Sequence, residues 1–440
     1  MKDIIIIGAG PGGYVAAIRA AQLGMDVTVI EKKRVGGTCL NVGCIPTKTY
    51  VAMAELFYKM KEASHFGIDI TGEISFDVAR MVERKNKVVD QLVNGIEMLF
   101  QKRKIELITG EGRLVDAQTV EVNGKQVKGR HVILATGSAP FIPDVLQIPD
   151  FTLNSTELLD YDKPLSSLAI IGGGVIGVEF ASIYTLLGVQ VSLIEMQHSL
   201  LPTLDKKIGN RLKSILKKKG AEIHTSKKAE KVSRGEIILD DGTEIHADRL
   251  LVAIGRRPVL QGIDTEKSGI KTHNGCIVVS ESMETSLPGV YAIGDLLDTP
   301  QLAHTASKEG IVAVENIAGE KSRVNYNAIP WAVFTYPEIA VVGSAEGAVE
   351  GKFPFSANGK ALGVGESEGY VRIIGDASEK VIGMEIMGPH ASDLIHEGAL
   401  AIENHLTLSD IARTVHAHPT LSEAVAEAAE GALGKAIHMA

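Results

Sequence analysis

The chain has 440 residues, 45% of them hydrophobic and 22% charged, with a formal net charge of −9. That length allows about three domains with large cores, and the acidic balance, without any basic stripe interleaved with aromatics, argues against a nucleic-acid partner. There is no run of about 20 apolar residues to span a membrane, the N-terminus lacks the features of a secretory signal, and three cysteines are too few for a secreted disulfide framework. A cytoplasmic protein with one redox pair is the expectation.

Ile4–Ile7 is a continuous apolar run, as in a parallel strand buried on both faces. It ends in Gly8-Ala9-Gly10-Pro11-Gly12-Gly13, followed by a predicted helix (Tyr14–Leu23), a second strand (Val27–Ile30) and Glu31. This is a dinucleotide fingerprint in its proper context. Gly8 makes the tight turn, Gly10 lets backbone approach a pyrophosphate and Gly13 lets helix pack on strand. The helix N-terminus offers N–H groups to phosphate, and Glu31 can accept from a ribose hydroxyl.

The stretch from Gly36 to Lys48 holds two of the three cysteines, Cys39 and Cys44. The four residues between them can close a disulfide ring if the chain turns. Zinc sites use closer pairs with further Cys or His ligands, so no metal is expected. A helix is predicted over Thr47–Met60, with Pro46 tolerated in its first turn. Cys44 then feels the positive end of the helix dipole and is the candidate stabilised thiolate. Cys39, in the looser glycine-rich lead-in, is the candidate exchanging thiol. Two buried, inert cysteines are the alternative at this point. The pair lies in an insertion between Glu31 and about Ile105 that also contains two helical stretches.

The fingerprint returns. Leu168–Ile171 is followed by Gly172-Gly173-Gly174-Val175-Ile176-Gly177, a helix to about Leu187, a strand (Val189–Ile194) and Glu195. The offsets 172−8, 174−10, 177−13 and 195−31 all equal 164, so the unit is an internal repeat with a second nucleotide site. Both halves close alike, with a turn signal (Asn123-Gly124; Asp241-Gly242) and an apolar strand ending in glycine (Val132–Gly137; Leu250–Gly255). Glu195 disfavours a 2′-phosphate, although Arg256 and Arg257 add positive charge.

From about Gly269 the pattern changes. Pro288–Asp295 reads as a turn and a strand with an acid at its end, a place where ligands bind in α/β sheets. Ala303–Ala318 reads as a helix. A third region begins near Trp331, with strands at Tyr370–Ile374 and Val381–Met387 and a helix at Ala391–Asn404. The tail His416-Ala417-His418-Pro419-Thr420-Leu421-Ser422-Glu423 leads into a final helix, with Pro419 suited to a first helical position. His418 and Glu423 could form a hydrogen-bonded acid–base pair. Cys276 matches no redox motif and is read as structural.

GAGPGG with Glu31, GGTCLNVGCIPTK, GGGVIG with Glu195, AIGRRP, YAIGD and HAHPTLSE together resemble the flavin-dependent pyridine nucleotide–disulfide oxidoreductases, and within them the members that oxidise dihydrolipoyl groups. The motifs occur in the family's order over nearly the whole chain. The resemblance implies an α/β protein with two Rossmann-like nucleotide-binding domains, for FAD and NAD, plus a C-terminal α+β dimerisation domain. The implied divisions are 1–147 for FAD and the redox insertion, 148–268 for NAD, 269–330 completing the FAD site, and 331–440 for the interface. FAD would contact Gly8, Gly10, Gly12, Gly13, Glu31, Lys48, Gly112, Thr136, Gly137, Ser138, Asp295 and Ala303. NAD would contact Gly172, Gly174, Val175, Ile176, Gly177, Glu195, Ala253, Ile254, Gly255 and Arg256. Lys48 would lie near the flavin and pair with Glu179.

The implied active site is shared across a homodimer, with His418 and Glu423 serving the partner chain's disulfide. His418, made more basic by Glu423, removes a thiol proton from a dihydrolipoyl group. The thiolate attacks Cys39, the second lipoyl sulfur releases oxidised lipoyl, and Cys44 is left as the thiolate facing the flavin, from which hydride passes to NAD. With no lipoyl domain ahead of Met1, a separate lipoyl-bearing protein is the expected partner. One departure from the family is the stretch Gly343–Lys352, shorter than the usual helix-bearing connection. Within the fold, a glutathione-type reductase would show a basic pocket in place of Glu195, and a mercuric or large thioredoxin-type reductase would carry a C-terminal cysteine pair that Ala432–Ala440 lacks. A non-catalytic flavin-binding assembly component and a zinc-binding module are the readings from other classes.

Overall fold

Four consecutive isoleucines sit at the centre of the first sheet. Strand β1 (Lys2–Ile7) carries Ile4–Ile7, each at most 3% exposed, because both faces of the parallel sheet are covered and leave no polar side to alternate with. Helix α1 (Pro11–Gln22) and strand β2 (Val27–Glu31) complete the first unit of the repeat, and β2 runs parallel to β1. Glu106–Thr109 extends the sheet beyond β2, Lys125–Leu134 pairs β1 on its other side, and Val290–Ala292 pairs Lys125–Leu134; all are parallel. Arg113–Asp116 and Thr119–Val122 fold back antiparallel onto the first half of Lys125–Leu134. The Asn123-Gly124 turn has both residues at positive φ, as a two-residue hairpin loop requires.

Because these five strands are parallel, their carboxyl ends share one edge. Gly8, Glu31, Thr136–Ser138 and Asp295 all lie at or just beyond those ends, where α/β sheets bind ligands.

The structure describes residues 1–439, and they fall into two units. The first takes Met1–Met53, Gly67–Gly172 and Ala229–Val324; the second takes Ala54–Phe66, Gly173–Lys228 and the chain from Asn325 onward. In the first unit, Ser167–Ile171 and Arg249–Val252 pair in parallel, with Thr152–Leu153 outside them. In the second, Gln190–Glu195 pairs with Glu222–Thr225. The helix between the repeat's glycines and that strand, Val175–Leu186, is buried from Gly177 to its end, so it carries no polar stripe.

The second unit also holds an antiparallel sheet of five strands, in the order Trp331–Val333, Glu338–Gly343, Val381–Gly388, Tyr370–Gly375, Val349–Pro354. Helices Ala391–Glu403, Leu408–Ala412 and Glu423–Ala432 close its core. A Cβ on Gly351 would lie 1.9 Å from the carbonyl oxygen of Ala428, so the final helix rests directly on the edge strand. The shortened connection is a turn from Gly343 to Val349, held where the Ser344 hydroxyl donates to the Glu346 carbonyl at 2.7 Å. Among the described residues no helix is long and apolar enough to cross a membrane.

Candidate active site

The redox stretch crosses the first nucleotide loop in backbone contact. Gly36 N–H donates to the Ala9 carbonyl at 2.7 Å, and a Cβ on Gly37 would lie 2.5 Å from Gly10 Cα. Both glycines have positive φ, +96° and +57°, so glycine is required for conformation as well as space. Two helices follow, α2 (Gly37–Val42) and α3 (Cys44–Lys61). The sequence reading placed Cys39 in a loose lead-in and began the second helix at Thr47; instead Cys39 is helical and α3 starts at Cys44 itself. The reason is the turn at Gly43, where a Cβ would lie 2.9 Å from the Thr38 carbonyl oxygen and 3.3 Å from Cys39 Cα. That approach starts α3 early and brings the two thiols together. Asn41, which the sequence did not flag, pins α2 by donating to the Val35 and Gly37 carbonyls, each at 3.0 Å.

Cys39 and Cys44 are free thiols joined by a hydrogen bond. That bond, then burial and the charge on Cys44, push the Cys39 thiol far up, while Lys48, one turn along α3, pulls it down. Cys39 therefore keeps its proton. Cys44 also holds the helix N-terminus, where a thiolate is favoured.

Around this pair the first unit gathers the predicted flavin contacts. Gly8 makes its turn at φ +104°, and a Cβ on Gly13 would lie 2.0 Å from the Gly8 carbonyl, so helix and strand touch there. Gly12 meets the neighbouring helix Ala303–Ile317, with a Cβ falling 3.0 Å from the Ala306 carbonyl; Ala303 is that helix's first residue. Gly112 lies over Ile7 and Ile30 at the ends of β1 and β2. The Thr136 hydroxyl donates to the Val259 carbonyl at 2.6 Å, and Val259 N–H donates to the Gly137 carbonyl at 2.8 Å. Ser138 donates to Asp295, whose turn is held by Glu309: fully buried, it accepts from Gly294 N–H at 2.6 Å and the Thr299 hydroxyl at 2.8 Å. Glu309 was missed by the sequence reading; its only signal was an acid on the apolar face of a helix. Arg256, expected with the NAD contacts, bonds to Ser138 and Thr38.

The repeat extends to hydrogen bonds. Glu31 accepts from Ala9 N–H (2.7 Å) and Lys33 N–H (2.9 Å), and Glu195 accepts from Gly173 N–H (2.6 Å) and Gln197 N–H (2.7 Å). The offsets 173−9, 195−31 and 197−33 are all 164. Each acid thus braces its own glycine loop, a role the sequence reading did not include. Gly8 and Gly172 repeat as well, both at positive φ, each with a Cβ that would strike the carbonyl of the residue closing its half, Ala135 at 2.2 Å and Ala253 at 2.4 Å. Beside Gly172 lies Ala253-Ile254-Gly255, where Ala253 N–H donates to the Ile171 carbonyl and the Gly255 carbonyl accepts from Phe141 N–H.

These loops fit dinucleotides. A Cβ on Gly10 would meet nothing nearer than 3.9 Å, and one on Gly137, Gly174 or Gly255 nothing within 4 Å, so the bare backbone faces open space. Gly10 and Gly174 each cap a helix with no side-chain bond to the first turn, leaving its N–H groups for phosphate. Val175 and Ile176 open the second of these helices, and Gly177 is buried.

Within the second unit, Glu179 is 4% exposed and accepts from Phe334 N–H at 3.0 Å. Lys48 belongs to the first unit and Glu179 to the second. His418 Nδ1 and Glu423 Oε1 are 2.9 Å apart, and Glu423 Oε2 accepts from Thr420 N–H at 2.8 Å. Burial opposes ionisation of Glu423, but the Thr420 N–H and His418 outweigh it and hold the carboxyl below its ordinary range. The His418 side chain is 80% exposed, which leaves Nε2 open to a substrate. Pro419 does not begin the final helix as expected; the helix starts at Glu423, behind a turn in which the Thr420 hydroxyl bonds to Ala417.

The sequence pattern of the pyridine nucleotide-disulphide oxidoreductases matches residues 2–310, and that family's dimerisation domain matches residues 329–429. The chain belongs to this family and is an FAD-dependent, NAD-linked disulfide oxidoreductase. It is 42% identical to a dihydrolipoyl dehydrogenase of Geobacillus stearothermophilus, over 99% of this chain and 97% of that one, and 41% identical to one of Thermus scotoductus, over 99% and 98%. Among solved structures, LpdA from Mycobacterium tuberculosis superposes with a TM-score of 0.91 at 28% identity, over 98% of this chain and 99% of that one. The HOCl-induced flavoprotein disulfide reductase RclA of Escherichia coli gives 0.86 at 25% identity, over 98% and 99%.

Proposed function

We propose that this protein oxidises protein-bound dihydrolipoyl groups to lipoyl and reduces NAD to NADH, as the shared component of a 2-oxoacid dehydrogenase or glycine cleavage system. The observation that carries this reading is the Cys39–Cys44 pair, set by Gly36 and Gly37 against the first nucleotide loop with Cys44 at a helix N-terminus. FAD, held by the first loop, supplies the electron relay between dithiol and nicotinamide. The chain's own residues do the rest. His418 Nε2 takes the proton from a dihydrolipoyl thiol while Glu423 fixes Nδ1. In the oxidised enzyme, where Cys39 and Cys44 are joined as a disulfide, the lipoyl sulfur bonds to Cys39 Sγ as that disulfide breaks and Cys44 leaves as thiolate. The second lipoyl sulfur then gives up its proton and displaces Cys39, which takes a proton from His418 and leaves as a thiol, closing the lipoyl ring. Cys44 keeps the negative charge.

His418 serves the dithiol of the partner subunit in a homodimer, Lys48 pairs with Glu179, and the four divisions of the sequence carry FAD, NAD, the rest of the FAD site and the interface. Cytoplasmic location and a separate lipoyl-domain protein follow from the same reading. Support comes from the dimerisation domain and from full-length similarity to dihydrolipoyl dehydrogenases. The test is dihydrolipoamide-dependent NADH formation by purified protein. NAD should be strongly preferred because Glu195 would repel a 2′-phosphate; comparable turnover with NADP would contradict that assignment.

A further inference from the structure

Arg256 is the one residue of the expected NAD group that the first unit ties to the dithiol end of the flavin site. Its Nε donates to Ser138 Oγ at 2.7 Å, its Nη2 to the Ser138 carbonyl at 2.7 Å, and the same nitrogen reaches Thr38 Oγ1 at 3.4 Å. Ser138 in turn donates to Asp295. Thr38 precedes Cys39, and its carbonyl forms the floor of the Gly43 turn that pairs the thiols. The side chain is placed there by backbone: Arg256–Pro258 pairs antiparallel with Ser138–Pro140. Its neighbour Arg257 points elsewhere, stacked 3.4 Å from the Phe141 ring centroid.

We infer that Arg256 is a positioning residue of the redox pair, a fixed cation that ties the Cys39 helix to the Ser138–Asp295 end of the sheet and favours negative charge on Cys44. The groups that act on the pair are Lys48 from α3, Tyr14 from α1, whose hydroxyl feels Cys39, and Arg256, which is itself balanced by Asp295. Burial works against the guanidinium charge, and Asp295 and Cys44 are what sustain it. A half-buried cation that bonds on one side to Thr38, beside Cys39, and on the other to Ser138, which bonds to Asp295, has little freedom to follow a dinucleotide. Its charge is spent where the thiolate forms. This role rests on the proposed function for its meaning, but its test does not need lipoyl turnover.

The experiment uses wild-type holoenzyme, Arg256→Gln and Arg256→Lys, each reduced anaerobically. The rate of alkylation of the dithiol by iodoacetamide is followed against pH, with KM for NAD measured in parallel. Glutamine keeps an N–H donor for Ser138 without the charge, and lysine keeps the charge without the fork. The Gln variant should move the thiolate midpoint up by about one pH unit, the Lys variant should stay nearer wild type, and KM for NAD should hold within about twofold. An unmoved midpoint in Gln, equal shifts in Gln and Lys, or a rise in KM for NAD with the midpoint fixed would each overturn the inference. Failure of wild type to oxidise dihydrolipoamide would overturn the proposed function and leave this comparison of midpoints standing.

Discussion

On the proposed reading, His418 and Glu423 divide the work of one base. Glu423 is held ionised by Thr420 N–H and His418 against the cost of its burial. Its depressed value means that the stability it contributes is present above the ordinary carboxylate range and is lost as pH falls through the folded value, well below the neutral range in which a histidine base operates. Replacing His418 with Gln should lower kcat for dihydrolipoamide oxidation by about 10²–10⁴ while leaving reduction of the flavin by NADH intact. Stopped-flow absorbance with each reductant separates the two half-reactions; an unchanged dihydrolipoamide rate would remove His418 from the proton-transfer role. The residue scale is also where reading from sequence stops working. Gly13 and Glu31 were legible because their partners, Gly8 and Ala9, lie within one βαβ unit. Arg256 meets Ser138 across 118 positions, and no local pattern records that bond.

Helix α3 carries Cys44 at its first residue and Glu55 three turns on. Its start was misplaced because Pro46 reads as a first-turn residue, whereas the boundary is set by the Gly43 turn against Thr38, a contact between residues that each look ordinary in sequence. Strands and the repeat were legible for the opposite reason: burial on both faces writes itself as unbroken apolar runs. Glu55 is an element-scale feature with a pH signature. Burial first, and then Glu338, push its carboxyl up to about 7, with Lys59 opposing and Glu366 adding to the rise. For an acid with a raised folded value the native state binds the proton more tightly than the unfolded state. Stability is therefore greatest below the ordinary carboxylate range and declines as pH rises toward about 7. Glu55→Gln should raise Tm at pH 8 and lessen the difference between pH 5 and pH 8. Parallel melting curves of wild type and variant would show it, and an identical pH dependence in both would refute it.

At the scale of the whole molecule the claim is that the catalytic base and the dithiol of one site come from different subunits. Cys39→Ser and His418→Gln should each inactivate a homodimer. Co-expressed, they should restore activity, because in a mixed dimer one of the two sites has both groups intact; random pairing gives about a quarter of the wild-type sites. Purified mixed dimers with no activity would mean that base and dithiol belong to one chain. The family's dimerisation domain over residues 329–429 could be anticipated from the tail motif. The replacement of a helix-bearing connection by the turn at 344–348 could be anticipated only as a shortened stretch, since its conformation depends on the neighbouring strands.

The most direct test of the account is an anaerobic titration of the purified protein with dihydrolipoamide, followed by absorbance, with NAD added at the end. The account predicts a long-wavelength charge-transfer band as Cys44 becomes a thiolate beside the oxidised flavin, then loss of that band with formation of NADH. A flavin that ignores dihydrolipoamide but bleaches with NADH would contradict it and assign the dithiol to a different disulfide substrate.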